Sequence, residues 1–179
     1  MFEKIRKMKN QKGFTLVELI VVLVILAILA AMLVPALTGY IDKANNEKII
    51  ATTRQVVMAA QTEVSEAYAS KTLKDASVIT IDSAAATNPG VPTYAVCAET
   101  DVDGCKIVEL AEVATVASKK CTFKNGITKI VIKFDAKGHV NQVELTQGKK
   151  VCTYAETDTY KPTGDVKYTS GNYYVTAAA

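Results

Sequence analysis

One carboxylate, that of Glu18, lies at the edge of a long apolar segment and is the most informative chemical group in this chain of 179 residues. The nineteen residues from Leu19 to Leu37 include no polar side chain. As a helix, they would span about 28 Å, which is close to the thickness of the hydrocarbon core of a bilayer. A carboxylate next to hydrocarbon costs several kcal/mol unless a cation neutralises it. We therefore expect Glu18 to have a positively charged partner.

The four cysteines all follow the apolar segment and could form two disulfides if this part of the chain is exported. Their positions permit three pairings. We favour a bridge between Cys97 and Cys105 because it closes a short loop. The second bridge would then join Cys121 to Cys152 across the predicted strands. A zinc site would need closely spaced pairs such as C-x-x-C, and the gaps of 8, 16 and 31 residues do not supply them.

A short acidic segment before the second predicted helix has the spacing of calcium ligands. Glu99, Asp101 and Asp103 place carboxylates at alternate positions, and Gly104 stands at the sixth position, as in an EF-hand loop. The twelfth position is Leu110, so the bidentate acid of such a loop is missing. We expect a polar turn and no cofactor, with calcium at the three acids as the alternative.

Residues that could support catalysis are sparse. The single histidine, His139, follows Gly138 in a predicted turn. No nucleophile, base and orienting acid recur at a suggestive spacing, and glycine-rich phosphate loops are absent. The pattern therefore does not predict an enzyme.

The net charge of +3 is distributed unevenly along the chain. Five basic residues against one acid give +4 to the first thirteen residues, which leaves −1 for the rest. A basic flank before an apolar segment faces the cytoplasm, so the chain from Thr38 onward should lie outside. Further lysines near the predicted strands could form a patch for DNA or another anionic surface, but few aromatic residues accompany them, so nucleic-acid binding is not expected. These lysines are Lys119, Lys120, Lys124, Lys129, Lys133, Lys149 and Lys150.

The N-terminal segments predict a short leader followed by one long helix. Residues 1–13 are polar and basic, 14–37 are apolar, and 38–70 have the spacing of an amphipathic helix. We expect Pro35 and Gly39 to bend or loosen this helix. An ordinary secretory signal has a shorter apolar region without an acid at its start.

The remaining segments predict a connection and then a sheet. Residues 71–120 are rich in small polar residues and breakers, with a short helix between Cys105 and Lys119. Residues 121–179 alternate in polarity, and we expect Thr128, Ile130, Ile132 and Phe134 to face the same side. The predicted class is α+β, with the long helix packed on an antiparallel sheet of about 3–5 strands that ends in a C-terminal hairpin.

The segment Gly13-Phe14-Thr15-Leu16-Val17-Glu18, followed by Pro35, resembles the class III signal of bacterial type IV pilins and of the related secretion and competence pseudopilins. The resemblance implies that a prepilin peptidase cuts between Gly13 and Phe14 and methylates the new amine of Phe14. It also implies the pilin fold and a contact between that amine and Glu18 of a neighbouring copy. The family often has a glycine where this chain has Ala27.

The resemblance implies a structural protein, most simply the major subunit of a type IV pilus used for adhesion, motility or aggregation. The implied partners are other copies of the chain, the prepilin peptidase, a membrane assembly platform and a cytoplasmic ATPase. Before assembly the chain would cross the cytoplasmic membrane once, and afterwards it would lie in an extracellular fibre. Two alternatives stay open: a major pseudopilin of a type II secretion or DNA-uptake system, and a minor tip pilin acting as an adhesin.

Overall fold

The computed structural model describes residues 14–71, 73, 77–83, 95–96, 102–117 and 120–178. The fold is α+β, with one long helix and antiparallel strands, as the sequence predicts. Contacts divide the chain into two compact units, one up to Ala44 and one from Asn45. The elements of the described residues are α1 (Leu16–Ala69), β1 (Ser77–Asp82), β2 (Ala95–Val96), α2 (Gly104–Leu110), β3 (Ala114–Ala117), β4 (Lys120–Phe123), β5 (Ile127–Phe134), β6 (Val140–Gln147), β7 (Lys150–Ala155), a 3-10 helix (Asp158–Tyr160), β8 (Val166–Ser170) and β9 (Tyr173–Ala177).

The first part of α1 exposes its apolar side chains. Leu23 is 56 % exposed and Leu33 is 67 % exposed, and the other large apolar residues of this part are similarly uncovered. Its length and composition would let the helix cross a membrane. Since none of the residues that the structure describes buries this surface, we expect a lipid or protein environment to supply its contacts.

The part of α1 that belongs to the second unit buries one stripe of side chains against the sheet. The buried positions recur at gaps of three or four, which is the spacing of one face of a helix. The Thr53 hydroxyl is buried too, and it donates a hydrogen bond to the Ile49 carbonyl at 2.8 Å. The stripe consists of Ile49, Thr53, Val56, Ala60, Val64 and Ala67.

The main sheet has six strands in the order β1-β5-β6-β7-β9-β8, and every neighbouring pair is antiparallel. Strand β5, which lies next to the edge strand β1, places Ile130, Ile132 and Phe134 in the core, as predicted. Thr128 is exposed, however, and Ile127 is buried in its place. The register of β5 against β6 shifts between residues 127 and 129, so the alternation restarts at that irregularity.

The smaller elements differ in part from the predicted ones. The main sheet has six strands, above the predicted range, because Ser77–Asp82 pairs with β5 and buries Ile79 and Ile81. A second sheet of three strands, β2-β4-β3, accompanies it. The short helix predicted between Cys105 and Lys119 is present and ends at Leu110, since Glu112 adopts a φ of 56°. The next residues, Ala114–Ala117, are rich in β-branched side chains and pair with β4.

The turn between β5 and β6 is attached to α1 by one side chain. Gln61 donates from Nε2 to the Gly138 carbonyl at 2.7 Å, and its Oε1 accepts from the Val140 N–H at 2.9 Å. Tyr68, two helical turns further along, packs so closely over Gly138 that a Cβ there would lie 2.9 Å from the Tyr68 Cβ. These contacts fix where the hairpin sits on the helix.

Candidate functional site

The chemically distinctive site of the chain lies at the first turn of α1 and consists of Thr15 and Glu18. Both the backbone N–H and the hydroxyl of Thr15 donate to Glu18 Oε2, at 2.9 and 2.7 Å. In return, Thr15 Oγ1 accepts from the Glu18 N–H at 3.2 Å. The two residues therefore satisfy backbone donors that a helix start leaves without intrahelical partners.

This arrangement is a capping box, in which a threonine before the helix and a glutamate three positions later bond each other reciprocally. It explains why α1 begins at Leu16. The prediction for Glu18 rested only on its charge in an apolar segment and did not include this role. The signal was present, because Thr15-x-x-Glu18 is the recognised pattern for a helix start.

The capping box uses only one of the two carboxylate oxygens. Among the residues that the structure describes, Glu18 Oε1 accepts no hydrogen bond. The flanking apolar side chains of Phe14 and Leu16 are 85 % and 76 % exposed. The site is thus a fixed carboxylate with one available oxygen in an apolar surface, an arrangement that could bind a cation.

The other predicted residues of this region have different positions. Gly13 lies outside the described residues, and Phe14 is the first residue that the structure describes. Pro35 and Gly39 both lie within α1, and the Thr38 hydroxyl donates to the Pro35 carbonyl at 2.9 Å. The leader cleavage at Gly13, the methylation of Phe14 and the bend at Pro35 and Gly39 stay predictions.

The cysteines do not form both of the pairs that we favoured. Cys105 belongs to a disulfide, whereas Cys121 and Cys152 carry buried thiols, so the predicted bridge between Cys121 and Cys152 is wrong in this structure. The two residues lie in different sheets, Cys121 in β4 and Cys152 in β7. Cys121 instead has its sulfur 3.1 Å from Cys105 Sγ. Cys97 lies outside the described residues, so its bridge to Cys105 stays a prediction.

The calcium alternative gains no support from the one described acid of its segment. Asp103 caps α2, and its carboxylate accepts from the Cys105 N–H at 2.9 Å. Glu99 and Asp101 lie outside the described residues. In the part of the chain that the structure describes, no group of three or more His, Cys, Asp or Glu side chains could hold a metal.

The predicted turn around His139 is present and has a structural role. Asp135 Oδ1 accepts from the backbone N–H groups of Lys137 and His139, each at 2.9 Å. The imidazole Nδ1 of His139 lies 3.5 Å from Asp135 Oδ2 and is mostly exposed. The carboxylate therefore organises the turn.

Comparison with known protein families yields a match to the N-terminal part of the chain, which includes the start of α1. Residues 8–34 match the family model described as the prokaryotic N-terminal methylation motif. No curated protein and no solved structure matches the chain. The match supports a class III signal of the kind that prepilins of the type IV pilin and pseudopilin type carry.

The motif has consequences for processing and location. It implies processing by a prepilin peptidase and assembly into a pilus-type system. Together with the apolar part of α1, it fits anchoring in a membrane before assembly. Proteins with this motif are generally structural and not enzymatic.

Proposed function

We propose that this chain is the major structural subunit of a type IV pilus. The observation that carries the proposal is the fixed carboxylate of Glu18, with one oxygen available, at the start of an exposed apolar helix. Removal of residues 1–13 would create a positively charged amine at Phe14, about one helical turn from Glu18. In a filament, the amine of one copy would bind Glu18 of its neighbour.

This ion pair would set the axial position of each subunit. An amine and a carboxylate that leave water separately are each costly, and mutual contact offsets that cost. A copy inserted out of register would leave one charge unpaired among apolar side chains. The pair therefore favours one stacking distance, which is the property that a regular fibre needs.

The apolar side chains from Leu19 to Leu37 would change their surroundings during assembly. The bilayer covers them before assembly, and the same segment of other copies covers them afterwards. Lipid tails and packed apolar helices both exclude water, so the apolar side chains alone do not select one packing. The charged site is therefore the element that distinguishes correct from incorrect packing. Extraction from the bilayer would be driven by the assembly platform and the ATPase, and the chain itself would catalyse no reaction.

Analysis of fibres sheared from cells tests this proposal. We expect long surface fibres whose dominant protein is this chain, beginning at an N-methylated Phe14. Mass spectrometry of the N-terminal peptide and electron microscopy of the same sample are the measurements. Fibres that keep residues 1–13 would contradict the proposal. A chain present only in trace amounts or in short envelope-spanning fibres would instead indicate a pseudopilin, and a chain confined to fibre tips would indicate an adhesin.

A further inference from the structure

Two sulfur atoms of the second unit lie close together where α2 contacts β4. Cys105, the second residue of α2, belongs to a disulfide, and Cys121 in β4 carries a thiol. The Cys121 Sγ lies 3.1 Å from the Cys105 Sγ. This separation falls within the range of about 3–3.5 Å at which two reacting atoms are positioned for attack. A thiol is therefore held against one sulfur of a disulfide.

The backbone fixes the positions of both residues. Strand β4 is the middle strand of the three-stranded sheet, and Cys121 pairs with Ala95 on one side and with Val116 on the other. The Asp103 carboxylate accepts from the Cys105 N–H at 2.9 Å and caps α2. Two groups that the fold holds in contact react with a high effective concentration.

The contact between the two sulfur atoms is closed to solvent. Cys121 is 0 % exposed and Cys105 is 4 % exposed. A thiol from solution therefore has little access to the Cys105 sulfur, whereas the Cys121 thiol already touches it. Because thiol–disulfide exchange depends on access to the attacked sulfur, burial favours reaction within the chain.

We propose that Cys105 exchanges its disulfide partner, with Cys121 as the attacking thiol. Cys121 first loses its proton, and its sulfur then forms a bond to Cys105 Sγ while the existing S–S bond breaks. The electron pair of the broken bond stays on the departing sulfur, which takes up a proton. The numbers of thiols and disulfides stay the same, so the step needs no oxidant or reductant. This inference does not depend on the proposed function.

The exchange changes which segments the disulfide joins. Cys97 is the departing residue in the bridge that we predict from the sequence, and it directly follows Val96, the last residue of β2. The new bridge from Cys105 to Cys121 would join α2 to the middle strand of the small sheet and enclose β3. The thiol would move from the buried Cys121 to Cys97. Two alternative disulfides would thus share one sulfur.

The acidity of the Cys121 thiol sets the rate of the exchange. Burial raises the pKa of this thiol to about 11, and the negative charges of Asp103 and Glu109 act in the same direction. Only the thiolate attacks a disulfide, so the exchange is slow near neutral pH. It should become about tenfold faster for each pH unit below that pKa.

Cys152 provides a matched comparison for Cys121. Its thiol is also buried, and burial raises its pKa to about 11 as well. Cys152 lies in β7 of the main sheet, however, where its thiol forms a hydrogen bond with the Thr53 side chain. The two thiols differ in their neighbours and not in their acidity, so we expect no exchange between Cys152 and Cys105.

Two double variants of the full chain test whether Cys105 and Cys121 can bond. Cys97→Ser with Cys152→Ala leaves Cys105 and Cys121, whereas Cys97→Ser with Cys121→Ala leaves Cys105 and Cys152. Both variants are incubated in maltoside micelles with oxidised glutathione, which supplies the oxidising equivalents. They are then digested with pepsin in acid, which prevents rearrangement, and the linked peptides are identified by mass spectrometry. We expect at least about tenfold more bridged chain in the first variant. No bridge in the first variant, or equal bridging in both, would overturn the proposal.

The unaltered full chain tests the exchange itself. It is held in the same micelles at pH 7, 8 and 9 without oxidant or reductant, and samples are acidified and mapped in the same way. We expect to find both the bridge from Cys97 to Cys105 and the bridge from Cys105 to Cys121. Their ratio should become constant about tenfold faster for each pH unit. Cys152→Ala should behave like the unaltered chain, and Cys121→Ala should contain only the bridge from Cys97. A single, unchanging bridge at every pH in the unaltered chain would overturn the exchange.

Discussion

Thr15 and Glu18 bind each other reciprocally, since the Thr15 hydroxyl donates to Glu18 Oε2 at 2.7 Å while Thr15 Oγ1 accepts from the Glu18 N–H at 3.2 Å. The acid that we propose as the partner of a neighbouring amine is therefore also the cap of its own helix. Its carboxylate is oriented before any partner arrives. Such preorganisation reduces the cost of forming the intersubunit contact.

Thr15→Ala tests whether this orientation matters. The variant loses the hydroxyl contacts of the capping box, and we expect the helix start to be less stable by about 0.5–2 kcal/mol. Hydrogen exchange at the amides of Leu16 to Leu19 in micelles should become faster, and the fibre yield should fall without disappearing. Thr15→Ser keeps the hydroxyl and should restore both. Unchanged exchange in the alanine variant would show that the cap contributes nothing to the helix start.

Gly138→Ala should destabilise the second unit more than other glycine substitutions in turns. Gly138 has a φ of 84°, and an added Cβ would lie 2.9 Å from the Tyr68 Cβ. We expect a loss of about 3 kcal/mol in the free energy of unfolding, from backbone strain and overpacking together. Gly171 also has a positive φ of 59° but nothing within 4 Å of its added Cβ, so Gly171→Ala should cost only about 1 kcal/mol. Urea unfolding of the two variants measures the difference, and equal losses would refute the close packing of Tyr68.

Asp135 should make part of the stability dependent on pH. Burial raises the pKa of this carboxyl, but the backbone hydrogen bonds from His139 and Lys137 and the charge of His139 outweigh it, so the pKa is lowered overall. A lowered folded-state pKa gives stability that is present above the unfolded-state value and is lost as the pH falls through the folded-state value. Asp135→Asn should therefore be less stable than the wild type at pH 7.

Unfolding curves between pH 7 and pH 2 check this prediction. The difference between wild type and Asp135→Asn should shrink as the pH falls below about 4, the ordinary value for an aspartate in the unfolded chain, and on through the lowered pKa of the folded state. Asp165→Asn serves as the control, because the Asp165 side chain is 78 % exposed and contacts Lys167 at the surface. A difference that stays constant across the whole range would contradict the shifted pKa.

Alkylation can measure how many of the cysteines carry thiols and how many are in disulfides. Burial raises the pKa of both Cys121 and Cys152 to about 11, so few thiolates exist near neutral pH. Alkylation of the folded chain at pH 8 should be roughly a hundredfold slower than that of the unfolded chain. In denaturant, mass spectrometry should find two added groups without reductant and four with it. No addition without reductant would instead support the bridge between Cys121 and Cys152.

Patterns that persist over many residues were predictable from the sequence. The apolar segment from Leu19 to Leu37 and the amphipathic stripe that follows it run over many turns, so α1 was evident. The alternation of Ile130, Ile132 and Phe134 likewise predicted β5. The carboxylate of Glu18 was recognisable because one acid next to a long apolar segment is costly.

Features that depend on a few residues or on tertiary contacts were not predictable in this way. The alternation around Ile79 and Ile81 is short and lies in a segment rich in small polar residues, so β1 was missed. The register shift near Thr128 reverses which side chains are buried. Lys48 is about one hundred positions away from Lys149 and Lys150, and only the packing of α1 on the sheet brings them to one pocket.

The pairing of Glu18 with a neighbouring amine is tested most directly by fibre assembly of Glu18→Ala. Membrane insertion and leader removal are followed by immunoblotting of membranes, and assembly by the amount of the chain in sheared fibres. Glu109→Ala, which removes an exposed acid from α2, is the matched control. We predict that the Glu18 variant inserts and is cut normally but is absent from fibres, while the control assembles normally. A normal fibre yield from Glu18→Ala would contradict the account.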